Sequence, residues 1–120
     1  MKFLISLLLA ASASSVYALD CKTASATPEL NECAAIEQKK VEDQLNQIYQ
    51  RSIKAIDEPD TKKALIAAQR AWIKFREADC KAVYERYKQG TARTMMFIGC
   101  MRGHAENRIK DLADFQYGGS

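Results

Sequence analysis

Four cysteines, Cys21, Cys33, Cys80 and Cys100, are the residues whose type and spacing point most directly to covalent chemistry. An even number of cysteines in a small exported domain is typical of a disulfide framework, and four cysteines allow three pairings. We favour Cys21–Cys33 with Cys80–Cys100, because each link closes a local loop beside a helix end. Each link is expected to stabilise the fold by about 2–4 kcal/mol.

A zinc site is the alternative use of these cysteines. No two of them stand at the C-x₂₋₄-C spacing that is common in structural zinc sites, and His104 is the only histidine. We therefore predict neither a metal nor a cofactor.

Positive side chains recur along one face of a second predicted helix. Because a helix turns by 100° per residue, they form a narrow stripe, which Glu77 interrupts. These residues are Lys63, Arg70, Lys74, Lys81 and Lys88. Such a local positive field can bind an anionic envelope polymer, an acidic partner or the carboxylate-lined cleft of a glycosidase. A solvated helix face is the alternative interpretation, and most charge runs are of that kind.

Trp72 and Arg76 lie one turn apart within the apolar stripe of the same helix. A buried guanidinium must be paired, because an unpaired buried ion is costly. Asp79 can reach Arg76 from the next turn, and carboxylates of a first helix offer further partners, namely Glu29, Glu37 or Asp43. We favour a structural role for Trp72 and Arg76; the alternative is an exposed pair at a binding site.

Catalysis finds no support in the pattern of residues. His104 stands alone on the flank of a third helix, and most serines lie near the N-terminus, away from any acid–base partner. A glycosidase needs two carboxylates that face each other across a cleft, which a packed three-helix protein does not obviously provide. We predict a binding protein, not an enzyme.

The N-terminus has the features of a secretory signal peptide. Lys2 precedes an apolar and small-residue run from 3 to 13, and Val16 and Ala18 fit a cleavage site. The run is shorter than the ~20 residues that a spanning helix needs. Asp20, directly before Cys21, argues against a lipid anchor. We expect residues 1–18 to be removed and residues 19–120 to form a periplasmic or secreted protein without a membrane span.

Length and charge narrow the class of protein further. The remaining chain suffices for one domain with one core. The formal net charge is +3, or +2 without Lys2. Such a balance is too weak to indicate nucleic acid binding.

Hydrophobic residues recur at helical spacing in three segments with short breaks between them. The first segment runs from Thr27, a candidate N-cap, to Ile56; the second runs from Thr61 to Lys88; the third follows Thr94. Inward positions are predicted at Leu30, Ala34, Val41, Leu45, Ile48, Ser52 and Ile56, then at Leu65, Ala68, Trp72, Arg76, Asp79, Val83 and Tyr87, and finally at Phe97, Met101, Ala105, Ile109, Leu112 and Phe115. Short turns between long helices favour an elongated, antiparallel, all-α three-helix bundle.

Several of these segments resemble the lysozyme inhibitor LprI-like domain family. The matching residues are 20–21, 27–34, 45–49 and 68–80, followed by Cys100 and 108–112. The resemblance implies a helical, cysteine-paired domain of the cell envelope that binds a protein and catalyses no reaction. The chain is expected to differ from the lipoprotein that gives the family its name, because Asp20 before Cys21 does not fit a lipidation signal.

We therefore expect steric binding to a lysozyme or another peptidoglycan-active enzyme. The candidate contacts are Arg70, Lys74, Lys81 and Lys88, supported by Trp72 and Arg76. The alternative is a structural or stress-related envelope protein that binds anionic cell-wall or lipid groups through the same stripe. Binding to a polymer by charge alone should weaken steeply with added salt.

Overall fold

A computed structural model describes residues 19–118, which form three helices in sequence order. These are α1 (Thr27–Ala55), α2 (Pro59–Arg86) and α3 (Arg93–Tyr117). No strand occurs between residues 19 and 118. The predicted all-α class is confirmed, while the predicted signal peptide lies outside the described residues.

The third helix lies between the other two and holds them together. Ser52 Oγ donates to Gln116 Oε1 over 3.4 Å near the C-terminal ends of α1 and α3, so these helices run in the same direction. Cys80 of α2 is bonded to Cys100 of α3, and Arg108 Nε, further along α3, donates over 2.9 Å to Gln69 Oε1, which lies earlier on α2. α2 therefore runs opposite to α3 and to α1. α1 and α2 contact each other far less than each contacts α3. The bundle is thus organised around α3 and not around an α1–α2 hairpin.

The core sits where the three helices meet. Leu45 and Ile48 of α1 pack with Leu65 of α2 and with Ala105 and Leu112 of α3, and all five are at most 7% exposed. Removing a Leu or Ile side chain from water contributes about 1.5–3 kcal/mol. The helical periodicity predicted all five of these positions.

The inward face of α2 differs from the prediction by about one residue. Ala68 and Asp79 are exposed, whereas the neighbouring Gln69 and Cys80 are buried. The Gln69 side-chain oxygen is satisfied by Arg108 of α3, and Cys80 is drawn inward by its disulfide bond. Specific contacts with α3 therefore set the rotation of α2 about its axis. Hydrophobic periodicity contains no information about these contacts.

The predicted N-cap of α1 is wrong by one residue, and that of α3 is wrong by two. Ala26 and Ala92, not Thr27 and Thr94, precede the first helical residue, and neither has a capping side chain. The backbone N–H of Leu30 donates to the Ala26 carbonyl over 2.9 Å. Helix α1 thus begins at Thr27 itself, one residue earlier than an N-cap at Thr27 would place its start.

The ends of α2 and α3 are better defined. Glu58 caps α2, and its carboxylate accepts hydrogen bonds from the backbone N–H groups of Asp60 and Thr61. α2 ends at Arg86, so Lys88 lies in the following turn and not in the helix as predicted. Gly118 ends α3 with a φ of 70°, a left-handed conformation that glycine adopts without strain.

Both predicted disulfide bonds are present. Cys21–Cys33 ties the segment before α1 to its second turn, and Cys80–Cys100 joins the C-terminal part of α2 to the first turns of α3. The second bond is buried at Cys80, which is 0% exposed. One link therefore fixes a peripheral segment, and the other fixes the packing of two helices.

Candidate functional site

The outward face of α2 carries an uncompensated positive charge, and we call it the basic face. It consists of Lys63, Arg70, Lys74 and Lys81, with Lys88 in the turn beyond the helix, and all five are exposed. Within residues 19–118 none of these five forms an ion pair with a carboxylate. At 1.5 Å rise per residue, Lys63 and Lys81 are about 27 Å apart along the helix. Glu77 is the acidic residue on this face.

Some of the exposed charges elsewhere on the bundle are paired within the chain. Lys39 Nζ lies 2.9 Å from Asp43 Oδ2, and Lys40 Nζ lies 2.9 Å from Glu37 Oε1. The hydrogen bond from Lys40, reinforced by its charge, lowers the pKa of Glu37 below its usual value. The basic face is distinct because its five cations align along one side of α2 and none of them has a carboxylate partner in residues 19–118.

Two shallow grooves border the basic face, one towards each end of α2. The first, of about 410 Å³, has Ile66 and Ala67 in its lining together with Lys63 and Arg70. The second, of about 370 Å³, is formed by Lys81, Tyr84, Thr94 and Phe97. Each groove thus places a cation beside apolar surface. This combination suits a protein surface that presents a carboxylate next to an apolar side chain.

The second groove is held in place by the α2–α3 turn. Arg93 Nε donates to the Tyr84 carbonyl over 3.0 Å, and its guanidinium carbon lies 3.5 Å from the centroid of the Tyr84 ring. Arg93 also pairs with Glu85 over 3.1 Å. The rings of Tyr84 and Phe97 meet edge to face, with their centroids 5.7 Å apart. These contacts fix the aromatic floor next to Lys81.

Trp72 and Arg76 lie on the inward side of the same helix. Arg76 is 8% exposed and pairs with Glu42 of α1, and its guanidinium carbon is 4.5 Å from the Trp72 ring centroid. Trp72 is half-buried and packs against the core. Through the Arg76–Glu42 pair the cluster links α2 directly to α1. It supports the basic face from inside the bundle.

The acidic partner of Arg76 is Glu42, which the sequence analysis did not predict. Glu42 stands beside Asp43, so a small error in the rotation of α1 selects the wrong carboxylate. Asp79, the local candidate, instead places its Oδ2 2.6 Å from His104 Nε2. The Cys80–Cys100 bond brings these neighbours together, so the predicted disulfide was the signal that could have revealed the pair.

Helix length and hydropathy also bear on membrane association. None of the helices in residues 19–118 combines the length and the apolar composition that crossing a bilayer requires. The two disulfide bonds fit a protein that folds in an oxidising compartment.

A three-helix bundle with two disulfide bonds defines a small disulfide-bonded helical domain. The family model described as "Lysozyme inhibitor LprI" matches residues 20–112, and the chain belongs to this family. The match includes all four cysteines and the whole of α2. The earlier resemblance is thereby confirmed.

Two individual proteins are similar to this chain. An uncharacterised protein of Rhizobium meliloti is 26% identical over 107 residues, which cover 79% of this chain and 77% of that protein. The crystal structure of a DUF1311 family protein from Pseudomonas putida superposes with a TM-score of 0.67 at 22% identity, covering 73% of this chain and 91% of that one. At this identity the structural match supports the fold alone.

Proposed function

We propose that this protein is exported, with residues 1–18 as its leader, and that it binds a lysozyme or another peptidoglycan-active enzyme through the basic face. The observation that carries the proposal is the row of unpaired cations on a rigid helix, bordered by grooves with apolar linings. Membership of a family described by lysozyme inhibition supports the choice of target class.

The proposed mechanism is steric and involves no change in covalent bonds. Glycoside hydrolases carry a pair of carboxylates at the reacting bond, so a lysine or arginine brought to the cleft meets complementary charge. Arg70, Lys74 and Lys81 are the contacting cations. Trp72 and Arg76 contribute indirectly, by holding α2 against α1 so that the face stays straight when it docks.

The rigidity of the face matters for affinity. A lysine loses rotamer freedom when it is fixed at an interface, and each such side chain costs about 0.5–1.5 kcal/mol. The backbone of α2 is already ordered by the core, by Glu58 at one end and by the Cys80–Cys100 bond near the other. Binding therefore orders side chains but not the helix that carries them.

The test is a cell-wall lysis assay with several lysozyme types and a bacterial lytic enzyme, each titrated with the purified protein. Tight inhibition predicts a linear loss of lysis that saturates near equimolar protein. The proposal is contradicted when no enzyme is slowed at a large molar excess of folded protein.

A second function rests on the same unpaired cations: binding of anionic cell-wall or lipid groups by a structural envelope protein. Exposed charges bound to a flexible polymer are strongly screened, since the Debye length falls from about 10 Å at 0.1 M salt to about 3 Å at 1 M. Sedimentation with purified cell walls across this range separates the two functions. Polymer binding by charge alone is lost at high salt, whereas a docked enzyme complex with apolar contacts is retained in large part.

A further inference from the structure

The junction of α2 and α3 contains a cluster of four residues whose capacity to hold a metal ion plays no part in the proposed function. Asp79 and Cys80 are neighbours on α2, and Cys100 and His104 lie one turn apart on α3. Each residue offers one atom suited to a metal ion, and the four atoms all lie within 4.8 Å of one another. The cysteines are joined as a disulfide.

We propose that reduction of the Cys80–Cys100 bond converts this cluster into a zinc-binding site. Its ligands would be the Sγ atoms of Cys80 and Cys100, Nε2 of His104 and a carboxylate oxygen of Asp79. Two thiolates, one imidazole and one carboxylate are donors that Zn²⁺ accepts in four-coordinate sites.

The required change in geometry is small. At a Zn–S distance of about 2.3 Å, two sulfurs on one tetrahedral zinc ion are about 3.8 Å apart. The thiolates reach this separation from the disulfide by side-chain rotation, because their helices are already packed. His104 Nε2 faces Asp79 Oδ2 at 2.6 Å, so these two ligands converge on one side of the sulfurs.

Neighbouring contacts support the site in the way that outer-shell residues support known metal sites. The Phe75 ring meets His104 edge to face with centroids 5.5 Å apart, which restricts the orientation of the imidazole. Cys80 is fully buried, Cys100 and His104 are half-buried, and Asp79 is exposed. A zinc ion can therefore enter from solvent past the Asp79 carboxylate.

The redox step is an ordinary thiol–disulfide exchange. A thiol reductant delivers two electrons and two protons to the Cys80–Cys100 bond, which breaks into two thiols while two reductant thiols form their own disulfide. Binding of Zn²⁺ then releases both thiol protons to solvent, since the thiolate is the ligand. In the oxidised protein only His104 and Asp79 remain as ligands, so the disulfide and the bound zinc exclude each other.

Sequence spacing alone does not reveal this site, because the ligand pairs belong to different helices. Twenty residues separate the two cysteines, and only the packing of α3 against α2 brings the pairs together. Cys21 and Cys33, although also paired, lie in a separate part of the fold and provide an internal control.

The first experiment uses the full-length protein reduced with a water-soluble phosphine, which takes up the oxygen of water as the disulfide is reduced to two thiols. Folded protein is verified by far-UV circular dichroism and titrated with Co²⁺ and then Zn²⁺. We expect one metal ion per chain, with the thiolate-to-cobalt charge-transfer band and the intense visible bands of a tetrahedral site. Oxidised protein should show neither.

Alkylation with iodoacetamide then identifies the ligands without any substitution. Bound zinc should protect Cys80 and Cys100 and leave Cys21 and Cys33 reactive, as read by mass spectrometry. His104→Ala should weaken zinc binding by at least the roughly 10–100-fold that loss of an outer-shell partner costs. Equal alkylation of all four cysteines in the presence of zinc, or an affinity unchanged in His104→Ala, would overturn the proposal.

Discussion

The inward and outward faces of α2 both carry positively charged side chains, but these side chains differ in burial and in pairing. On the inward face Arg76 is buried, stacked on Trp72 and paired with Glu42. On the outward face Arg70 and Lys74 are exposed and have no carboxylate partner in residues 19–118. Arg76 and Arg70 thus differ in burial and in pairing because they lie on opposite sides of one helix.

The difference follows from the cost of removing a charge from water. A buried guanidinium is tolerated only with a well-placed carboxylate, so the inward face fixes its own partner within the chain. An exposed cation stays hydrated, so it needs no partner within the chain and can bind one from outside. The two faces should therefore respond to substitution in opposite ways, stability being lost on one and binding on the other.

The largest loss of stability is expected from the apolar part of the inward face. Leu65→Ala removes a side chain that is 7% exposed and leaves a cavity against α3, so we expect a loss of about 3 kcal/mol in the free energy of unfolding. Urea denaturation measures it. Ile73→Ala, at a position that is 37% exposed, is the matched control and should cost about 1 kcal/mol or less. Equal losses would contradict the assignment of the two faces.

The second-largest loss of stability is expected from the charged part of the inward face. Arg76→Met leaves Glu42 partly buried without its partner, and we expect a loss of about 2 kcal/mol, below the 3–5 kcal/mol of a fully buried pair because Glu42 keeps some exposure. Thermal or urea unfolding measures this loss. Adding Glu42→Leu removes the stranded carboxylate and should recover much of the stability. A double variant that is less stable than the single one would contradict the unpartnered Glu42 carboxylate as the cause of the loss.

Charge reversal on the outward face should barely change stability. In Lys74→Glu/Lys81→Glu both side chains are exposed and unpaired among the described residues, so we expect a change within about 0.5 kcal/mol per site. Denaturant unfolding at matched ionic strength is the measurement. A loss comparable to that of Arg76→Met would mean that these lysines hold the fold.

The start of α2 provides a third kind of charge, exposed but paired with the backbone. Hydrogen bonds from the Thr61 hydroxyl and from the N–H groups of Asp60 and Thr61 lower the pKa of Glu58 below the usual value of a glutamate. A carboxyl with a lowered folded-state pKa stabilises the fold above its unfolded-state pKa, and this contribution is lost as pH falls through the lower folded-state value.

We therefore expect stability to decline below about pH 4.5, in part through Glu58. Glu58→Gln should reduce this dependence when unfolding is measured from pH 6 to pH 3, and its effect should be the smallest of the series. Identical pH profiles for the variant and the wild type would remove Glu58 as a contributor.

Much of the fold was predictable because its strongest signals are periodic. Leu45, Ile48 and Leu112 recur at helical spacing, and a local loop beside a helix end identified both disulfide bonds. The same periodicity selected Ala68 over Gln69, because hydrophobicity does not register a buried amide satisfied by Arg108.

Pairings between helices were the part that the sequence could not supply. A helix turns by 100° per residue, so an uncertainty of one position separates Glu42 from Asp43 as the partner of Arg76. The contact between Asp79 and His104 depends on the placement of α3 between the other helices. The residues of the basic face were visible in the sequence, but their lack of internal partners depends on the packing of the bundle.

The most direct test of the basic face compares two double charge reversals in the lysis titration, using an enzyme that the wild-type protein inhibits. Lys74→Glu/Lys81→Glu alters the basic face, and Lys54→Glu/Lys110→Glu makes the same change in net charge at exposed positions on α1 and α3. We predict that the first variant needs about tenfold more protein for half inhibition, equivalent to about 1.4 kcal/mol, while the second matches the wild type. Equal inhibition by the two variants would contradict the assignment of the binding site to the outward face of α2.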